Sequence, residues 1–175
     1  MKLPTLKSSK FALRPLRDSD ATSITKNANE KLVAMNMSDS FPYPYSFKDA
    51  KAFIRLRKSN KEGHISYVIE IDGLAVGVVS LHLNSDKKTY KGTFGYWLGK
   101  HYWGRGIMSD AVGMVSKWAF KSLKLKRLDA HVYLWNKGSA KVLLKNGFRK
   151  EGLLRNYVRK SGKILDVLLF SKIAK

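Results

Sequence analysis

No cysteine occurs anywhere in the chain, so neither a disulfide framework nor a thiolate metal site can form, and nothing points to an oxidising compartment. The cytoplasm is the default expectation. Acidic side chains are scarce: 13 Asp and Glu stand against 34 Lys and Arg, a net charge of +21. The surplus is uneven, since residues 1–90 carry 15 basic and 9 acidic side chains (+6) and residues 91–175 carry 19 and 4 (+15). A field of that sign steers phosphates, nucleic acid, ribosomes or acidic proteins toward the chain and is screened by salt. A solvated lysine-rich surface would look the same in any one run, such as Lys121 to Arg127. No apolar run is long enough to cross a bilayer. Residues Met1 to Leu16, interrupted by Lys2, Lys7, Lys10 and Arg14, lack the apolar core of a signal peptide. Internal repeats, linkers and low-complexity tracts are also missing. With 175 residues, 44% of them hydrophobic, the expectation is one domain over residues 1–175, burying about 70% of the surface of its unfolded chain.

Proline is rare, and its four residues punctuate the chain. Pro15 confines Phe11 to Leu16 to an edge strand. Pro42 and Pro44 exclude helix from Phe41 to Tyr45, an aromatic loop that either walls a cleft or packs on the core. Between them, Asp18 or Ser19 can cap a weakly amphipathic helical stretch reaching Met37, read as two short helices with Ile24, Ala28, Leu32 and Met35 at helical spacing. Ser46-Phe47-Lys48-Asp49 fits a capping box with Asp in the last place, opening a helix to about Asn60 through Ala50, Phe53, Ile54 and Leu56. The period then changes. His64 to Ile71 and Leu74 to Leu83 form a hairpin around Asp72-Gly73. Asn84 to Lys88 is a second turn, and Lys91 to Leu98 a third strand of an antiparallel meander. A helix from Ile107 to about Ser122 carries Ile107, Ala111, Met114, Val115 and Trp118 as its core stripe. Leu128 to Trp135 alternates, with Leu128, Ala130, Val132 and Leu134 on one face and Asp129, His131, Tyr133 and Trp135 on the other. Strand, helix, strand implies a parallel crossover. Asn136 is placed to cap a helix with Ala140, Leu143 and Leu144 apolar, and Gly147 to end it with Phe148 folded back on Leu143. A hairpin of Phe148 to Arg159 and Ile164 to Ile173 around Ser161-Gly162-Lys163 closes the chain.

The stretch Tyr96 to Ser109 reads as strand, glycine-bearing turn and helix. Gly104 and Gly106 flank Arg105, and glycine lets the backbone turn left-handed and a ligand reach it without meeting a Cβ. The helix behind aims its first N–H groups and positive dipole end at an anion there, although an ordinary strand-to-helix connection can hold the same residues. A Walker-type loop has the spacing of Gly99 and Gly104, but Arg105 and Gly106 stand where Lys and Ser or Thr are needed. A dinucleotide fingerprint needs a third glycine where Ser109 stands and an acid about twenty positions on, where Leu123 to Leu125 offer none. A third pattern, a basic or polar residue, two residues, Gly, any, Gly, is filled by His101-Tyr102-Trp103-Gly104-Arg105-Gly106.

That turn within Gly95 to Gly106, followed by Asn136-Lys137-Gly138-Ser139 and Asn146-Gly147-Phe148, resembles the GNAT N-acetyltransferase superfamily. More narrowly, it resembles the branch of ribosomal-protein N-terminal alanine acetyltransferases. The resemblance covers nearly the whole chain and its order of elements. It implies an α/β single domain, with a mixed, mostly antiparallel twisted sheet, a parallel splayed central pair and flanking helices. It also implies acetyl-CoA as co-substrate and no metal, with the pyrophosphate on the amides of Gly104, Arg105 and Gly106 at the start of the helix through Ile107, Met108 and Ser109. The pantetheine arm would extend the sheet along Tyr96, Trp97 and Leu98. A backbone N–H of Trp97 or Leu98 would polarise the thioester carbonyl. Asn136 would hold the pantetheine, and Ser139 would be the candidate acid for the departing thiolate. Read alone, Asn136 is equally a helix cap and Ser139 an ordinary first-turn residue.

The chain also departs from the family. Many members carry a glutamate two residues before Gly95, where Thr93 stands here, and a tyrosine seven residues after the Asn136 position, where Leu143 stands. No tyrosine acid can act from that place. The general base has no assigned residue, since nothing selects among Glu70, His82 and Asp86 near the central strands. If the amine arrives partly deprotonated, positioning alone could carry much of the rate. The resulting expectation is direct transfer of an acetyl group from acetyl-CoA to a primary amine, without a covalent enzyme intermediate. The acceptor would be a protein N-terminus, for instance a ribosomal one, with polyamines, aminoglycosides and amino acids as alternatives. A basic nucleic-acid- or ribosome-binding module with the same fold and no catalysis is the rival, although Phe41 to Tyr45 lacks the interleaved basic residues of a stacking platform. A ribosome or an acidic partner fits the charge, no membrane is expected, and monomer and homodimer both stay open.

Overall fold

A computed structural model describes residues 3–59, 63–83 and 90–174. Its elements are β1 (Leu6–Lys7), β2 (Ala12–Arg14), α1 (Ala21–Ala28), α2 (Lys31–Ala34), α3 (Phe47–Ser59), β3 (His64–Ile71), β4 (Leu74–Leu83), β5 (Lys91–Leu98), α4 (Ile107–Ser122), β6 (Arg127–Tyr133), α5 (Lys137–Lys145), β7 (Arg149–Lys160) and β8 (Lys163–Ile173). The strands form one sheet in the order β1-β2-β3-β4-β5-β6-β8-β7. Every neighbouring pair is antiparallel except β5 and β6.

Local chemistry explains most of these boundaries. The β3–β4 and β7–β8 turns place Asp72-Gly73 and Ser161-Gly162 at positive φ, the backbone that matches strand twist in two-residue hairpins. At the head of α3, the Ser46 N–H donates to Asp49 Oδ2 at 2.8 Å and the Asp49 N–H to Ser46 Oγ at 3.2 Å, so aspartate completes the capping box. α5 closes with the Phe148 N–H on the Leu143 carbonyl and the Gly147 N–H on the Leu144 carbonyl, the paired bonds of a Schellman end. The turn expected at Asn84 to Lys88 and the helix end expected at Asn60 lie outside the described residues.

Two apolar layers sandwich the sheet. Ile65, Tyr67, Ile69, Val79, Leu81 and Phe94 face α4 and α5, meeting Ala111, Val115, Trp118, Leu143 and Phe148. On the other side Val68, Val78 and Trp97 pack under Ile24 of α1, Ile54 of α3 and Tyr45. Because both faces are covered, β3 and β4 are buried through nearly continuous runs. The outer strand β7 is mostly exposed and carries Arg149, Lys150, Arg155 and Arg159, charges that discourage pairing with another chain.

Several sequence expectations are corrected. The first edge strand is not Phe11 to Leu16: the two-residue β1 lies outside β2, and β2 ends before Pro15. Neither Asp18 nor Ser19 caps α1. A 3-10 turn at Asp18–Asp20 precedes it, and the Asp20 carboxylate takes the Arg17 N–H at 2.7 Å. Asp20 is also held by the buried Arg14 at 2.7 and 2.8 Å, and Arg14 binds Glu70 as well. In α2 the buried residues are Val33 and Ala34, whereas Leu32 and Met35 are exposed; a single turn of helix has no second repeat to define its inner face. Leu56 and Leu144 are exposed, and β6 stops at Tyr133, which leaves Leu134 exposed too.

Candidate active site

β5 and β6 run as a parallel ladder from Lys91↔Arg127 to Phe94↔Ala130 and then part. Each strand follows its outer neighbour. β5 stays paired with β4 through Leu98, and β6 with β8 through Tyr133. Strand twist carries the two pairs apart, so Gly95–Leu98 and His131–Tyr133 become the facing banks of a cleft. The backbone N–H and C=O groups along those banks have no strand partner across the gap, and such groups need one. A ligand arm bearing amides can supply it. A cavity of about 860 Å³ fills the gap, lined by Tyr96, Trp97, Leu98, His131, Asn136 and Ser139 among others.

The glycine turn lies at one end of this cavity, with Gly104 and Gly106 at φ 76° and Gly106 serving as the N-cap of α4. A Cβ on Gly104 would meet nothing within 4 Å, and one on Gly106 only Lys10 Nζ at 3.9 Å. Conformation therefore requires these glycines, and the space above them is open. The first intrahelical bond runs from the Asp110 N–H to the Gly106 carbonyl, leaving the N–H groups of Ile107, Met108 and Ser109 without a helical partner. Amides, dipole and lysine together favour an anion. Lys10, which also pairs with Asp110 at 3.3 Å, is the contributor that sequence reasoning missed, because it reaches the turn from the loop between β1 and β2.

The side chains at the turn find partners within the protein. The Trp103 indole donates to the Leu98 carbonyl at 2.7 Å, and the Arg105 guanidinium sits 5.7 Å from the Tyr102 ring centre. The side chains of Ile107, Met108 and Ser109 are buried. Ser109 Oγ and its carbonyl accept from Asn146 Nδ2 at 3.2 and 2.9 Å, so only its backbone N–H is left to meet an anion.

The far bank is joined to β5 by side chains. Asn136 caps α5 through Oδ1, which accepts from the Ser139 N–H at 3.0 Å. The cap orients the first turn of α5 so that Ser139 Oγ lies 2.8 Å from the Tyr96 phenol oxygen. Burial pushes the Tyr96 phenol up to about 12, with the Ser139 bond acting against it, so it stays protonated at neutral pH and able to donate. This pair was not read from the sequence, where Tyr96 enters only through its backbone. His131 was likewise placed only on a strand face. The structure puts it on the cavity wall with its ring 4.8 Å from that of Tyr157. Burial lowers its pKa, Asp129 opposes that, and Lys91 adds to the lowering.

A second cavity of about 550 Å³ lies on the other face of β5 and shares Phe94, Gly95, Tyr96 and Trp97 with the first. Phe41, Tyr45, Phe53, His82 and Thr93 line it. The aromatic loop therefore does both jobs considered for it: Tyr45 is buried in the core, and Phe41 bridges Tyr45 and Trp97 at 4.8 and 6.0 Å on the cavity wall. Of the three groups considered as base, Glu70 is engaged by Arg14 and lines neither cavity. His82 packs against His64 with ring centres 4.4 Å apart and tilted by 40° in the second cavity, and Asp86 lies outside the described residues. Leu143 is fully buried beside Phe148, so the place of the missing tyrosine belongs to the core. Among the described residues no cluster of His, Asp or Glu could hold a metal ion, and no helix is long and apolar enough to cross a membrane.

Known proteins share this fold. Over 163 residues the chain is 31% identical to the probable N-acetyltransferase YjcK of Bacillus subtilis, covering 90% of each sequence. It superposes on Mycobacterium smegmatis RimJ in complex with CoA-disulfide with a TM-score of 0.86 at 26% identity, over 94% of this chain and 82% of that one. The ribosomal-protein-S5-alanine acetyltransferase from Vibrio fischeri superposes with a TM-score of 0.82 at 28% identity, over 98% of this chain and 97% of that one. The acetyltransferase (GNAT) domain matches residues 10–149, and the chain belongs to that family of acetyl-CoA-dependent N-acetyltransferases.

Proposed function

We propose that the acceptor is the N-terminal amine of a protein, with a ribosomal protein as the leading candidate, and that the reaction takes place in the cytoplasm. The observation that carries this reading is the far mouth of the split. There the cavity is lined by Met35 to Ser38 after α2 and by Tyr157 and Val158 of β7, and α2 and β7 also carry the exposed cations Lys31, Arg155 and Arg159. An excess of exposed cations on these elements repels a polycation and suits an amine presented on an anionic body. The 28% identity to a protein described as a ribosomal-protein-S5-alanine acetyltransferase supports the same acceptor class.

The geometry supports a set of roles. The amides of Gly104, Arg105 and Gly106 and the free N–H groups of Ile107, Met108 and Ser109 hold the pyrophosphate, with Lys10 adding charge. The edge of Tyr96–Leu98 pairs with the pantetheine amides. In an antiparallel ladder alternate residues bond the neighbouring strand, so every second N–H of this segment is left for the gap. One of them, at Trp97 or Leu98, polarises the thioester carbonyl, a contribution of about 3 kcal/mol in comparable sites. Asn136 keeps Ser139 in place beside the pantetheine. Ser139 donates its proton to the leaving sulfur, and Tyr96 replenishes it.

Thiol release from acetyl-CoA, followed with peptides beginning in Ala or Ser and with spermidine, tests the acceptor. Turnover of the peptides in preference to spermidine is expected, and the opposite order overturns the assignment.

A further inference from the structure

The position that often carries a carboxylate in this family holds Thr93, and the cleft supplies a different proton acceptor. The last paired rung of the parallel ladder is Phe94↔Ala130, so His131 is the first β6 residue beside the gap, level with Gly95. Its backbone is held from behind by Leu169 of β8. Side-chain alternation places it opposite the buried Ala130 and Val132, and its imidazole lines the cavity. Gly95 leaves that space uncovered, since a Cβ there would meet nothing within 4 Å. By the same alternation, Tyr96 and its partner Ser139 approach from the α4 and α5 side. Ser139 and His131 thus flank one gap from opposite faces of the sheet.

We propose that His131 takes the proton from the attacking amine; this rests on the acetyl transfer established above. The amine nitrogen forms its bond to the acetyl carbonyl carbon, and one N–H proton passes to an imidazole nitrogen of His131. The C–S bond breaks, and the sulfur takes a proton from the Ser139 hydroxyl, which recovers one through Tyr96. Amide and free thiol leave, His131 releases its proton to solvent, and solvent restores the Tyr96 phenol. The surroundings keep the imidazole neutral at working pH, since burial and Lys91 of β5 lower its pKa and Asp129 of β6 only partly opposes them. The other ionisable groups nearby are Tyr157 and Lys160 of β7, Tyr133 of β6, and Asp39 from the segment after α2. Against Ala130 to Tyr133, β8 pairs the uncharged Phe170, Leu169, Leu168 and Val167. His82, the other imidazole near β5, sits one strand further from the gap, with its Nδ1 buried and without a hydrogen-bond partner.

The test is acetyl transfer to a peptide beginning in Ala, measured from below to above the ordinary imidazole pKa. In His131→Gln, kcat should fall about 100-fold or more with KM for acetyl-CoA unchanged, and the acidic limb of kcat/KM should vanish. Added imidazole should restore part of the rate of His131→Ala, and His82→Gln should keep the limb. Retention of the limb in His131→Gln, or its loss only in His82→Gln, overturns the proposal. NMR titration of the His131 ring in the wild-type protein needs no acceptor. A midpoint below the ordinary value that moves on adding CoA is expected, whereas a midpoint above it overturns the proposal. Failure of acetyl transfer itself would appear separately, as absence of CoA binding by calorimetry in the wild-type chain.

Discussion

β5 and β6 are one ladder at their first residues and two banks of a cleft at their last, and each end contains a glycine. At the paired end a Cβ on Gly92 would come within 2.8 Å of Leu81 Cδ1 and 3.2 Å of Leu125 Cδ1. Charge reinforces the closure there, with Arg127 Nε on Asp129 at 2.6 Å and its guanidinium on Glu151 at 3.0 Å. At the parted end Gly95 faces open space, and the Tyr96 to Ser139 hydrogen bond spans the gap. One residue type thus serves opposite ends: Gly92 lets side chains close over the strand, and Gly95 keeps them away. A pair of strands can hold a ligand when its outer neighbours pull it apart at one end while packing holds it at the other.

The largest expected effect is at the anion turn of the parted end. Replacing both Gly104 and Gly106 with Val forces a β-branched residue into left-handed backbone twice, at about 1–2 kcal/mol each, and fills the space above the amides. Calorimetry should show CoA affinity lost by roughly 100-fold or more, about 2.7 kcal/mol, while the paired end keeps the chain folded by circular dichroism. Unchanged affinity would remove the turn from the site. Next in size is the bridge across the gap. Ser139→Ala should lower kcat about 100-fold, within the usual range for a positioned acid, and Tyr96→Phe about 10-fold, with CoA affinity nearly constant in both. Equal activity in Ser139→Ala would reduce that residue to a helix-capping partner. The smallest effect separates the two glycines by stability. Gly92→Val should cost about 1–3 kcal/mol through overpacking, whereas Gly95→Ala should stay within about 0.5 kcal/mol, both read from urea unfolding. Similar losses at the two positions would mean that the ends do not differ as the packing implies.

Legibility in the sequence followed the distance over which each feature is encoded. The glycine turn, the Asp72-Gly73 hairpin, the Ser46 capping box and the Gly147 helix end were all readable, because hydrogen bonds among residues within a few positions define them. Strand β5 and helix α4 were bounded correctly for the same reason, with their periods bracketed by local stop signals. Inner faces of short helices were not readable. Val33 and Leu143 are buried while Leu32 and Leu144 are exposed, and one or two turns of apolar residues do not show which side meets the sheet. No side chain caps α1, because the Asp20 carboxylate at its start is taken by the Arg17 N–H and the buried Arg14, a contact that no local pattern encodes.

Local sterics and near-neighbour hydrogen bonds already dictate where the backbone turns, which runs become strand or helix, and where α4 leaves its first amides unpaired. The parting of β5 and β6 after Phe94 has no such local origin. That parting depends on β4 and β8 holding their partners from outside, and β8 lies at the far end of the chain. The same closure brought Lys10 to Gly106, Tyr96 to Ser139, and His131 to the open side of Gly95. These groups are dozens of residues apart in the chain, and only the folded sheet sets the distances over which a proton or a charge can act.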